Sequence, residues 1–145
     1  MQLTRHTDYA LRLLIYLASL DADERVLIAD VAEAQDISRT HLMKIANTLA
    51  HAGFIATSRG RGGGIRLARP AGEINLGEVV RATEPGVPLI DCSACHLIRR
   101  CKLPGILGEA CTAFHMVLNR YSLADLVRER AESGAERSAF PSLSA

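Results

Sequence analysis

Phe54-Ile55-Ala56-Thr57-Ser58-Arg59-Gly60-Arg61-Gly62-Gly63-Gly64-Ile65-Arg66-Leu67-Ala68 is the stretch that decides the fold of this chain. Two short apolar and β-branched runs flank a glycine-rich loop, which is the pattern of an antiparallel hairpin. Glycine-rich loops also cradle nucleotide phosphates. That reading fails here, because G-x-x-x-x-G-K-[ST] is missing and the order helix, helix, strand, loop, strand is wrong for it.

What precedes the hairpin gives it meaning. Ser38 is an N-cap candidate, and Leu42, Ile45, Ala46 and Leu49 behind it form the buried stripe of a helix. Ile28, Val31 and Ala32 mark the apolar side of a shorter helix that ends near Gln35-Asp36. Two short helices joined by a tight turn at Asp36-Ile37 read as a helix-turn-helix, with an ordinary helical hairpin as the alternative. A β-hairpin directly after the second helix favours the first reading and makes a winged helix. Further upstream, Ala10, Leu11, Leu13, Leu14, Leu17 and Ala18 recur at helical spacing, so a first helix is expected from Thr7 to Leu20 with Thr7 as its cap.

Downstream, Pro70-Ala71-Gly72 ends the wing. Asn75 can cap a fourth helix carrying Leu76, Val79, Val80 and Ala82, which Glu84-Pro85-Gly86 terminates. Leu103, Leu107, Ala110, Phe114, Val117 and Leu118 then recur at three and four residues, giving one long helix with a wide apolar face. The winged-helix core can be complete before that helix begins, so its leftover face is expected to pack against a second copy of the chain. Tyr121 to Val127 continues as a short final helix, and the Ser-, Ala-, Gly- and Glu-rich tail is expected to be mobile. The expected architecture is mainly α. Residues 1–84 form a winged helix-turn-helix DNA-binding domain with a two-stranded wing, 85–104 a cysteine-bearing cluster loop, 105–130 the dimerisation and terminal helices, and 131–145 the tail.

Seventeen Lys and Arg against sixteen Asp and Glu leave a formal charge of +1, with no global signature of nucleic-acid binding. The local distribution differs. Asp21, Asp23, Glu24, Asp30, Glu33 and Asp36 crowd one stretch with Arg25 alone among them, whereas Arg59, Arg61, Arg66 and Arg69 follow each other without an acid. A basic wing can meet phosphate while the acidic stretch stays in solvent. In a helix-turn-helix the second helix enters the major groove, and Ser38, Arg39, Thr40 and His41, then Lys44 one turn on, occupy its reading positions. Arg39 can fork onto guanine, and Ser38 and Thr40 can reach phosphate or a base, although capping alone explains Ser38. Arg39 and His41 should stand clear of the buried stripe. Arg59 and Arg61 at the wing tip are candidates for phosphates or the minor groove.

Four cysteines, Cys92, Cys95, Cys101 and Cys111, are spaced C-x2-C-x5-C-x9-C. C-x2-C lets two thiolates chelate one metal, and soft thiolates gathered in about twenty residues can hold iron or zinc. Asp91, Ser93 and the bracketing Pro88 and Pro104 favour turns. Core cysteines and disulfides are the alternatives. No apolar run approaches the ~20 residues needed to span a membrane, and the first segment contains Arg12 rather than an unbroken signal core. A cytoplasmic home is therefore expected, and it argues against structural disulfides. Asp91, His96 and His115 do not combine with a nucleophile and base into a catalytic set, so no enzyme is expected.

With these features assembled, the chain resembles the Rrf2 family of bacterial transcription regulators over about residues 1 to 130. The matching stretches are Met1-Gln2-Leu3-Thr4, Val31-Ala32-Glu33 with Ile37-Ser38, Arg59 to Gly64, Glu78 to Glu84, and Tyr121 to Leu126. Within that family it looks most like the nitric-oxide-sensing repressors, on Thr7 to Arg12, Asp91-Cys92-Ser93 and Cys101-Lys102-Leu103. The resemblance implies a homodimer on a palindromic operator, released when nitric oxide modifies an iron–sulfur cluster. It makes Cys92, Cys95 and Cys101 the thiolate ligands of one [2Fe–2S] or [4Fe–4S] cluster per subunit, with Asp8 of the partner subunit as the fourth. The two-residue gap between Cys92 and Cys95 is shorter than the family's usual one, which puts loop geometry and cluster type in question. Relatives that sense cluster status carry a histidine where Pro104 stands here. Iron-responsive, redox-responsive and zinc-stabilised regulators stay open as alternatives. Cys111 is unusual for the family; it can pack as a small hydrophobe, ligate, or take a redox role. His96 and His115 are weaker ligand candidates.

Overall fold

The computed structural model describes residues 2–21, 23–58, 60, 62–86, 89–97 and 100–127. In chain order it contains α1 (Arg5–Ala18), α2 (Ile28–Ala34), α3 (Arg39–His51), β1 (Ile55–Ser58), β2 (Gly64–Leu67), α4 (Leu76–Thr83), α5 (Leu103–Leu118) and α6 (Ala124–Val127), with a 3-10 turn at Ala71–Glu73 before α4. This is a winged helix-turn-helix followed by a cysteine-bearing loop and a long helix. The expected tail at 131–145 lies outside the described residues.

α1 starts two residues earlier than the apolar spacing implied. Thr4 is its N-cap, with its hydroxyl accepting from the Thr7 backbone N–H, while Thr7 itself is fully buried inside the first turn. Thr7 is therefore not the cap. Both threonines carry the same local signal, and Thr4 takes the role because it alone lies just outside the helix with extended backbone angles. Ala10, Leu13, Leu14 and Leu17 line the buried face, against Leu42, Ile45, Ala46 and Leu49 of α3.

The turn of the helix-turn-helix is a Schellman closure. The Ile37 N–H reaches back to the Ala32 carbonyl (2.9 Å) and the Asp36 N–H to that of Glu33 (3.2 Å). Asp36 sits at φ +52°, the left-handed region that a short polar side chain tolerates, and Ile37 is buried beyond it. The sharp reversal turns α3 across α1, and a second closure ends α3 through Phe54 N–H to Leu49 C=O (2.9 Å).

β1 and β2 pair antiparallel with Ile55 opposite Leu67 and Ser58 opposite Gly64. Ile65 also exchanges two backbone bonds with Val26 (3.1 and 2.9 Å), adding a bridge that ties the wing to the chain ahead of α2. That approach requires glycine at position 64, where a Cβ would lie 2.6 Å from the Val26 carbonyl oxygen.

The core is not complete before α5, contrary to the expectation from sequence. Leu123, beyond α5, is fully buried in it and donates its N–H to the Ile74 carbonyl (2.8 Å), while Leu76 N–H bonds Tyr121 C=O (3.0 Å). Asn75 caps α4 as expected and also holds the Asn119 carbonyl at the end of α5 (2.7 Å). A Cβ at position 77 would overlap the Asn119 side chain, which would have to turn away from its bond with Arg81. α5 thus leaves the domain and returns to it. None of its residues is buried within one chain, and Ile106 and Met116 are 58% and 64% exposed. Among the described residues no helix is long and apolar enough to cross a membrane.

Candidate functional site

α3 presents a polar outer face because its apolar stripe is spent on α1. Ser38, Arg39, Thr40 and Lys44 are exposed on or beside its first turns. Ser38 holds the N-cap position but makes no side-chain capping bond, so its hydroxyl is free to seek another acceptor or donor. His41 differs from expectation. Its ring is half-buried and packs edge-on against Tyr9 of α1, centroids 5.3 Å apart, with the His6 ring at 6.5 Å. The turn that starts α3 sets His41 beside α1, where its ring stays partly exposed. Met43, which apolarity alone would assign to the core, is instead 47% exposed beside Lys44 and can offer an apolar contact to a thymine methyl.

Arg59 and Arg61 lie outside the described residues. At the wing tip Gly63 N–H bonds Gly60 C=O (2.9 Å), and Arg25 steadies the strand before it by donating to the Ser58 hydroxyl (2.9 Å).

Glu84 forms a clasp that sequence reasoning missed. Standing just past α4, at the base of the cysteine loop, its carboxylate accepts from the Thr4 backbone N–H (2.9 Å), the Thr4 hydroxyl (2.7 Å) and the Thr7 hydroxyl. Burial pushes this carboxyl up, but the hydrogen bonds from Thr7 and Thr4 and the charge of nearby His6 outweigh it and hold Glu84 below the usual glutamate range. The only sequence signal was the Thr4-x-x-Thr7 pair at the start of α1; its acceptor lies eighty residues away.

Cys92 and Cys95 are half-buried, Cys101 is exposed, and all four cysteines are free thiols. The loop is built from local turns: Ser93 N–H to the Asp91 carboxylate (2.9 Å) and Cys95 N–H to Cys92 C=O (3.2 Å), and the Ser93 side chain, then its N–H, hold the Asp91 carboxyl below its usual range. That turn keeps the two C-x2-C residues together. Cys101 is not brought to them; among the described residues no three His, Cys, Asp or Glu side chains converge closely enough to hold a metal ion. The donor types suit soft iron, and gathering them requires the loop to close. Asp8, on the exposed side of α1, pairs with Arg12 of its own chain at 3.0 Å. His96 is exposed, and His115 stacks edge-on with Phe114, its Nδ1 buried without a hydrogen-bond partner.

Cys111 lies on the long helix, as its place in the sequence implied. It is half-buried on α5 and, with Leu107 and Pro104, faces Leu89, Ile90 and Cys92 of the loop across a cavity of about 610 Å³.

The sequence pattern of the Rrf2 family, described as iron-dependent transcriptional regulators, matches residues 3–129. The chain belongs to the Rrf2 family. Rrf2 proteins are DNA-binding transcription regulators rather than enzymes, in keeping with the exposed face of α3. Solved structures of similar fold include CymR (YrzC), the global cysteine regulator of B. subtilis, at 23% identity and TM-score 0.68 over 88% of this chain and 96% of that one. T. potens IscR matches at 22% identity and TM-score 0.74 over 94% of each chain. The oxidized form of Staphylococcus aureus CymR matches at 26% identity and TM-score 0.70 over 89% of this chain and 98% of that one. The winged helix and returning α5 of this Rrf2 chain therefore have counterparts along nearly the whole length of these relatives.

Proposed function

We propose that this Rrf2 protein is an iron–sulfur-dependent repressor of the nitric-oxide-sensitive NsrR type. It binds a palindromic operator as a homodimer and leaves it when nitric oxide modifies the cluster. The observation that carries the reading is the set of free thiols at Cys92, Cys95 and Cys101, on a loop between a DNA-reading domain and an unpaired apolar helix, in a family described as iron-dependent. Those three residues would hold one cluster per subunit, with Asp8 of the partner subunit as the fourth donor. When bound, the cluster supplies iron that reacts with nitric oxide.

The chain's own residues supply the rest. Leu103, Ile106, Met116 and Val117 on α5 are exposed apolar groups suited to a second copy of the helix, which would set the spacing of two α3 helices on a two-fold operator. Arg39 and Thr40 would read bases while Lys44, Arg59 and Arg61 hold phosphates. The Glu84 clasp joins the base of the cysteine loop to α1, and α1 carries Tyr9 against His41 of α3, so loop closure has a packed route to the reading helix.

A redox-responsive regulator is the second reading, supported by a relative known in an oxidized form. A single zinc on all four cysteines is disfavoured by length. Cys111 lies eight helical steps after Leu103 on α5, ~12 Å of rise, with Cys101 beyond it, whereas two thiolates on one zinc lie within ~4.6 Å. Anaerobic purification with iron, sulfide and zinc analysis tests the proposal. Brown protein with iron and sulfide supports it; colourless protein with one zinc per chain overturns it. Asp8→Ala should weaken both cluster retention and the nitric-oxide response, and unchanged values of both would remove Asp8 from the ligand set.

A further inference from the structure

We propose that Cys92 and Cys111 form a redox pair that closes to an intrachain disulfide when a hydroperoxide meets the cluster-free protein. The two thiols belong to different elements, a turn-built loop and α5, yet line one cavity. Leu89, Ile90, Pro104 and Leu107 give it apolar walls, Asp91 and Ser93 make its rim beside Cys92 polar, and Cys95 and Cys101 do not line it. The α5 wall opens at Gly108, one turn ahead of Cys111, where a Cβ would meet nothing within 4 Å. Side chains on a helix lean toward its N-terminus, so the Cys111 thiol leans over the space that Gly108 leaves open, beside Leu107. The loop bonds near Cys92 close over two or three residues, which lets Cys92 move as a unit toward the helix.

The chemistry balances with one hydroperoxide per pair. The Cys92 thiolate attacks the terminal peroxide oxygen; an S–O bond forms, the O–O bond breaks, and the alcohol leaves with the thiol proton. Cys111 sulfur then attacks Cys92 sulfur, an S–S bond forms, the S–O bond breaks, and hydroxide leaves as water with the Cys111 proton. Each sulfur loses one electron, and the two peroxide oxygens gain them. A Cys92 held in this bridge cannot be a thiolate ligand. That consequence rests on the proposed cluster set; the bridge itself does not.

Metal-stripped, reduced full-length protein treated with tert-butyl hydroperoxide and mapped by mass spectrometry without reductant tests the pair. The expected result is a linked peptide joining Cys92 to Cys111 in most chains, monomeric on non-reducing gels. Cys95→Ser retains it and Cys111→Ser lacks it. A Cys92–Cys95 or interchain bridge with Cys111 still open to iodoacetamide overturns the proposal. Reconstitution with ferrous iron and sulfide separates the two claims. Bridged protein taking up iron only after dithiothreitol supports the exclusion. If reduced protein also takes up none while the bridge still forms, the cluster reading fails and the redox pair stands.

Discussion

Replacing Thr7 with valine should cost about 1.5–3 kcal/mol of stability near neutral pH, the range for a hydrogen bond to a charged group. Valine keeps the volume and branching of threonine, so the fully buried site is refilled and no cavity opens. What disappears is the hydroxyl that donates to the Glu84 carboxylate and lies 3.1 Å from the Thr4 hydroxyl. Glu84 retains both Thr4 donors, so it is weakened rather than stranded. For a chain of this length the loss corresponds to a Tm drop of roughly 5–10 °C. The effect should depend on pH with a definite sign. Because the folded-state pKa of Glu84 is lowered, its stabilisation is complete above the ordinary glutamate value of about 4.3 and is lost as pH falls through the folded value. Urea denaturation of wild type and Thr7→Val at neutral pH and at about pH 3.5 should therefore give a gap that narrows in acid. A cost under about 0.5 kcal/mol at neutral pH, or a gap that widens in acid, would refute the clasp.

Four further substitutions have defined outcomes. Arg39→Ala should relax sequence preference at one operator position by about 1–3 kcal/mol, whereas Lys44→Ala should weaken binding to all sequences alike and lower the salt slope by about 1, both read by anisotropy titration. Leu123→Ala should cost about 2–5 kcal/mol in urea denaturation, because Leu123 fills the core from beyond α5; a cost below about 1 kcal/mol would mean that the core closes without it. Gly64→Ala should lower Tm by driving a methyl into the Val26 carbonyl, a backbone group that cannot swing aside, and an unchanged Tm would deny the close approach.

The elements from α2 to β2 were legible because each signal is local. The Leu42, Ile45 and Leu49 spacing, the turn at Asp36 and the glycine loop all act within a few residues. Contacts between distant segments left no such mark. Leu123 meets Ile74 across the length of α5, and Glu84 looked only like a helix terminator until α1 brought Thr4 and Thr7 to it. His41 has the polarity of a reading residue, and only the crossing of α3 over α1 turns its ring onto Tyr9. In the candidate cluster loop the spacing identified the thiols and their turn-forming neighbours. It could not say which thiols share a cavity, since Cys92 and Cys111 line one only because the loop folds back along α5.

Binding of the anaerobically purified protein to its own upstream DNA, before and after addition of nitric oxide, tests the central proposal most directly. The account predicts tight, sequence-preferring binding by iron- and sulfide-containing dimer that falls by about 5- to 150-fold on nitric oxide addition, as expected of coupling between two sites. Equal affinity before and after, from protein verified to carry iron and sulfide, would contradict it.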